Sequence, residues 1–102
     1  MVVNDPVLTA RLAAALRKSL GDKNVREMPP KMTSEDFAEY GRAGVPSALL
    51  HIGAVSPVRL DEALKTGIPG PAPHSPEWAP DLEPTLKSAI RAEVAELLDL
   101  LQ

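Results

Sequence analysis

Two histidines, His51 and His74, and the adjacent carboxylates Glu35 and Asp36 are the side chains whose setting could support chemistry. His74 stands in the run Pro73-His74-Ser75-Pro76. Prolines on both sides restrict the backbone there and lower the entropic cost of holding a ligand in place. A lone loop histidine is also an ordinary surface residue, and its local chemistry leaves a metal or catalytic role and a bland one both open. His51 sits in the apolar run Leu49-Leu50-His51-Ile52 and reads as a structural histidine at or near the end of a strand. Thr33, three residues ahead of Asp36, resembles a capping box with Asp in place of Glu. Acids in that first turn interact favourably with the helix dipole, each by about 0.3–1 kcal/mol. The functional alternative is that the same turn offers backbone N–H groups to an anionic substrate. Trp78 follows His74 in a proline-rich stretch and serves as a loop anchor or as a wall of a binding site.

Ligand number is decisive for metal chemistry. A catalytic zinc-type centre needs at least three protein ligands and an open position. The sequence offers His74, His51 and scattered carboxylates, with no HExxH, no histidines paired at helical spacing and no cysteine. A GxSxG elbow, a P-loop and a GxGxxG are absent as well. No complete catalytic constellation is visible, and no residue is assigned a catalytic role.

The elements that would position these residues follow from capping and periodicity. Asn4 and Asp5 offer N-cap chemistry before Pro6, and Leu8, Leu12, Ala15, Leu16 and Leu20 share one helical face. A helix over 6–20 follows, closed by Gly21. Residues 24–28 are a weak strand candidate before Pro29-Pro30. A short helix starts at Thr33, runs through Phe37 and Tyr40, and ends at Gly41 or Gly44. Residues 46–52, a mostly apolar run of strand length ending at Gly53, suit a strand buried on both faces of a sheet. Within residues 57–67 a helical turn or two is expected around Leu60 and Leu64. Residues 67–80 hold five prolines and read as a loop. A last helix starts between Asp81 and Pro84 and reaches Leu101, with an apolar stripe of Leu86, Ile90, Val94, Leu97, Leu98 and Leu101. Two strands cannot cover two amphipathic helices, so the pattern reads as the edge of a larger α/β sheet whose remainder lies elsewhere.

Composition agrees with a partial domain. The chain has 102 residues, 44 % hydrophobic but only 3 % aromatic, so its core is built from Ala, Leu and Val and buries little area per residue. A net charge of −3 with no basic run argues against a nucleic-acid ligand. No apolar run approaches the roughly 20 residues of a membrane span. Residues 1–5 lack the basic and apolar regions of a signal peptide, and a cytoplasmic setting is expected.

Taken in order, Val3-Asn4-Asp5, Met32-Thr33-Ser34-Glu35-Asp36-Phe37, His51-Ile52-Gly53-Ala54, His74-Ser75-Pro76-Glu77-Trp78 and a closing Leu-rich helix resemble the C-terminal part of the metallo-aminoacylase family. That family comprises hippurate hydrolases, N-acyl-amino-acid amidohydrolases and related carboxypeptidase-type metallopeptidases. The resemblance covers essentially the whole chain. It implies an α/β fold: residues 1–102 as the C-terminal segment of a metallopeptidase-type catalytic domain, following the lid domain, with amphipathic helices flanking a short sheet segment. It implies His74 as a ligand of a zinc or manganese pair, and Ser34 and Glu35 as substrate-binding residues. The general-base Glu and the other ligands would lie upstream of the lid, outside this sequence. The implied reaction is hydrolysis of the amide bond of a small N-acyl amino acid, amide or peptide by a metal-activated water. The chain alone is expected to be inactive. The alternative is a non-catalytic interaction module derived from that family, engaging itself or a complementing chain.

Overall fold

The computed structural model describes residues 1–31 and 35–102. These residues form four α-helices and one short 3-10 turn: α1 (Pro6–Leu20), the 3-10 turn (Asp22–Asn24), α2 (Ala38–Arg42), α3 (Pro57–Thr66) and α4 (Leu82–Leu100). No strand occurs among them. The expected α/β class, with its short sheet segment, is therefore corrected to all-α. The chain divides into two compact units, Met1–His51 with Ile90–Gln102, and Ile52–Ala89.

In the first unit, α1 forms as its sequence dictates. The Asp5 carboxylate accepts from the Leu8 N–H at 2.7 Å, Pro6 occupies the first turn, and Gly21 closes the helix at φ +90°. Leu12 and Leu16 are buried, with Leu8, Ala15 and Leu20 half-buried beside them. The C-terminal part of α4 runs antiparallel to α1: the Arg11 Nε donates to Asp99 Oδ2 at 2.6 Å, and the Arg91 guanidinium donates to the Ser19 carbonyl at 2.7 Å. Arg11 and Asp99 are both partly solvated, so this ion pair contributes about 0.2–1 kcal/mol and serves chiefly to set the rotation of α4.

That rotation decides which face of α4 is covered. Ala92, 2 % exposed, is the α4 residue pressed into the unit, flanked by half-buried Ala95, Glu96 and Asp99. The apolar stripe of α4 lies on the opposite face, with every one of Leu86, Ile90, Val94, Leu97, Leu98 and Leu101 at least half exposed. Helix axes approach closely where small side chains meet large ones, and Leu12 and Leu16 already supply the large partners. An alanine face therefore fits α1 where a leucine face would hold the helices apart.

Neither predicted strand forms. Residues 24–28 lose their start to the end of α1: Asn24 closes the 3-10 turn, and its side-chain amide donates to the Leu20 carbonyl at 2.7 Å. Residues 46–52 meet the N-terminal segment instead of a strand. The Asp5 N–H donates to the Ser47 carbonyl at 2.9 Å. The Asn4 side chain pairs with both backbone groups of Leu49, donating to its carbonyl at 3.1 Å and accepting from its N–H at 2.9 Å. One carboxamide thus stands in for a neighbouring strand. Ala38 of α2 is buried in the same unit. Gly44 at φ +80° closes α2, with the Val45 N–H reaching back to the Tyr40 carbonyl, a Schellman-type stop.

In the second unit, α3 is longer than the turn or two expected. Ser56 caps it, its Oγ accepting from the Arg59 N–H at 3.3 Å, Pro57 opens it, and Gly67 ends it in the left-handed region. Residues 67–80 form the expected loop, returning to the unit where the Asp81 N–H donates to the Ala54 carbonyl at 2.7 Å.

Candidate functional site

His74 is the residue whose backbone is most specifically shaped. The Ser75 N–H donates to the Ala72 carbonyl at 3.0 Å, closing a β-turn with Pro73 and His74 at its centre. His74 has φ +73°, the only described non-glycine residue in that region. A proline followed by a positive φ is the signature of a type II turn, whose third position favours glycine or asparagine, so a histidine there carries strain of order 1 kcal/mol. A second turn follows at once: the Trp78 N–H donates to the Ser75 carbonyl at 3.1 Å, with Pro76 in its first central position, and the Glu77 N–H donates to Ser75 Oγ at 3.2 Å. Trp78 is half-buried and fastens the end of the double turn. The result is a pair of hydrogen-bonded turns that presents an exposed imidazole.

The other sequence-derived candidates are placed as follows. Ser34 lies outside the described residues, as does Thr33 of the expected capping box. Glu35 is exposed, and its contribution is a backbone one, its carbonyl accepting from the Ala38 N–H at 3.1 Å as the chain turns into α2. His51 is exposed at the end of its extended segment rather than held in a buried strand. Among the described residues no group of three or more His, Asp or Glu side chains could hold a metal ion. The described residues therefore do not fit a metal pair by themselves, since His74 supplies at most one ligand.

The first unit contains an open hollow of about 420 Å³, walled by Val3, Asp5, Ala38, Gly41, Arg42 and Val45 among others. Its charged side chains are already engaged, Asp5 in capping α1 and Arg42 in an ion pair with Glu39. What remains for a ligand is apolar backbone-rich surface, without a convergent set of polar groups.

The side chain with a perturbed titration is one the sequence pattern did not single out. Glu96 Oε1 is buried without a hydrogen-bond partner. Desolvation, with a smaller contribution from the neighbouring Glu93 carboxylate, raises its pKa above the ordinary value of 4.5. A carboxyl on a packed helix face was hidden from sequence because charge periodicity assigns it to solvent. The raised folded-state pKa means that the native state binds this proton more tightly than the unfolded chain does. Its stabilising contribution is complete below the ordinary carboxylate value and is lost as pH rises through the folded-state pKa. Glu96→Gln should therefore gain on the wild type as pH rises to neutrality, by about 1 kcal/mol given the partial exposure of the group. Urea unfolding of both proteins across this pH range checks it, and a stability difference independent of pH would contradict the assignment.

Comparison of the chain with family models, with curated proteins and with solved structures finds no match. Among the described residues, no helix is long and apolar enough to cross a membrane.

Proposed function

We propose that the chain is the C-terminal portion of a metal-dependent amidohydrolase acting on N-acyl amino acids or related small amides and peptides, inactive by itself and cytoplasmic. The ordered motifs carry this reading, above all the pairing of Ser34-Glu35-Asp36-Phe37 with His74-Ser75-Pro76. It is supported by the setting of His74, exposed on a double turn with a proline in each. A histidine held this way contributes one ligand to a zinc or manganese centre whose other ligands come from another polypeptide segment. A second reading, a non-catalytic interaction module derived from that family, is favoured by the apolar stripe that α4 leaves exposed.

Complementation tests the first reading. An aminoacylase truncated after its lid domain retains the family's upstream ligands and lacks the segment this chain resembles. Mixed with the chain and zinc or manganese, it should regain hydrolysis of an N-acetyl amino acid, and His74→Ala should reduce that activity at least about 100-fold. The isolated chain should show no turnover with either metal. Turnover by the isolated chain, or stable association without restored hydrolysis, counts against the proposal and leaves the interaction module as the better reading.

A further inference from the structure

We propose that the exposed face of α4 is a self-association surface, on which the occupant is the same face of a second copy of the chain. Ile90, Val94, Leu97, Leu98 and Leu101 are between 50 and 82 % exposed, and all lie on the face of α4 opposite Ala92. Isolated exposed leucines are ordinary, but a continuous stripe along one helix is not. Each of these side chains holds on the order of 100 Å² of free apolar surface. If the four seam residues and the flanking Leu98 are all covered, that is at most about 500 Å² per copy and about 1,000 Å² across a two-fold pair, at the lower bound for a specific interface.

The spacing selects a helix like itself as the partner. Ile90, Val94, Leu97 and Leu101 are separated by four, three and four residues, the alternation of a coiled-coil seam. An antiparallel two-fold pairing that sets Ile90 opposite the second copy's Leu101 also sets Val94 opposite its Leu97, so each of the four meets an apolar partner and the contact closes on itself. In this register Arg91 lies opposite the second copy's Leu100, and the two copies of Arg91 are separated by about nine residues along the axis, roughly 13 Å. That exceeds the screening length at physiological salt, about 8 Å, whereas the two copies of Glu93 come within about five residues, roughly 7–8 Å along the axis, so one like-charge pair flanks the seam and the apolar contacts must outweigh it. The seam itself carries no charge, which leaves nothing in it to select an acidic or basic partner.

The test is set at a dissociation constant in the micromolar range, about −8 kcal/mol, because area alone does not fix affinity and a small apolar contact has little surplus over the cost of association. Sedimentation equilibrium on the chain at roughly tenfold to a hundredfold above that range should give twice the 10.9 kDa chain mass. Val94→Glu sits on the exposed side of α4 and should keep its helical circular dichroism while weakening association at least about 100-fold. Since the chain has no cysteine, register is read directly. A mixture of Val94→Cys and Leu97→Cys chains should form the mixed disulfide in preference to either homodimer. A monomer at every concentration, an assembly that Val94→Glu does not weaken, or cross-linking without preference for the mixed pair would each overturn the proposal.

Discussion

Leu16→Ala is expected to lower the unfolding free energy by about 3 kcal/mol and to erase the cooperative transition of the first unit at 25 °C. The described core is confined to Leu12, Leu16, Ala38 and Ala92, and Leu16 is 7 % exposed. Deleting it removes the transfer free energy of its side chain and leaves a space that an alanine-rich interface with α4 cannot fill by relaxation. A small domain has only a few kcal/mol in hand, so one such loss is a large share of the total. The reciprocal change, Ala92→Leu, forces extra volume between α1 and α4 where Ala92 is 2 % exposed, at a cost of about 1–3 kcal/mol or more. Leu64→Ala, on α3 with its side chain 77 % exposed, should cost less than about 0.5 kcal/mol. Urea titrations followed by helical circular dichroism measure all three. Equal costs for Leu16→Ala and Leu64→Ala would mean that the core is not where α1 and α4 meet.

The contrast between these leucines marks how far the sequence was legible. α1 could be read because its capping residues and its buried face both lie within one short segment: Asp5 caps, Pro6 opens, Gly21 closes, and Leu12 and Leu16 share a face. The final helix was legible as a helix for the same reason, but its orientation was not. Periodicity shows that Leu86 to Leu101 form a stripe and says nothing of which face a neighbour will accept. The neighbour's own large residues, together with Arg11–Asp99 and Arg91–Ser19, decided in favour of the alanines. The strand over 46–52 failed for a different reason. A strand is defined by its partner, and no local property of Pro-Ser-Ala-Leu-Leu-His-Ile reveals that the partner will be a side chain 45 positions upstream. At the candidate site, the prolines around His74 announced a constrained loop, while its positive φ emerges only from the turn they close. Glu96 was illegible altogether, since a carboxylate in a helical pattern reads as solvated until packing shows otherwise.

Asn4→Ala is the second change with a large expected effect, about 2 kcal/mol of destabilisation. The Asn4 carboxamide makes two part-buried hydrogen bonds to the Leu49 backbone, and its removal leaves both the N–H and the carbonyl of Leu49 without those partners. Each bond is worth about 0.5–1.5 kcal/mol net, and a backbone group stranded in a partly buried setting adds to that cost. Asn4→Asp keeps the acceptor for the Leu49 N–H but sets a carboxylate oxygen against the Leu49 carbonyl where the amide donated, so it too should be destabilising. Hydrogen exchange locates the effect. The Leu49 amide should lose protection in Asn4→Ala and retain part of it in Asn4→Asp, while the amides of the middle of α1 change little. Unaltered exchange at Leu49 in Asn4→Ala would show that the carboxamide is not what holds the segment. The consequence reaches beyond stability. Residues 46–52 keep the composition of a buried strand, with Leu50 and Ile52 already 36 and 40 % exposed. Freed from Asn4, their backbone becomes an unpaired apolar edge, the kind of surface that templates association with another chain. The variant should therefore aggregate faster than wild type at equal concentration, because it exposes strand-forming backbone.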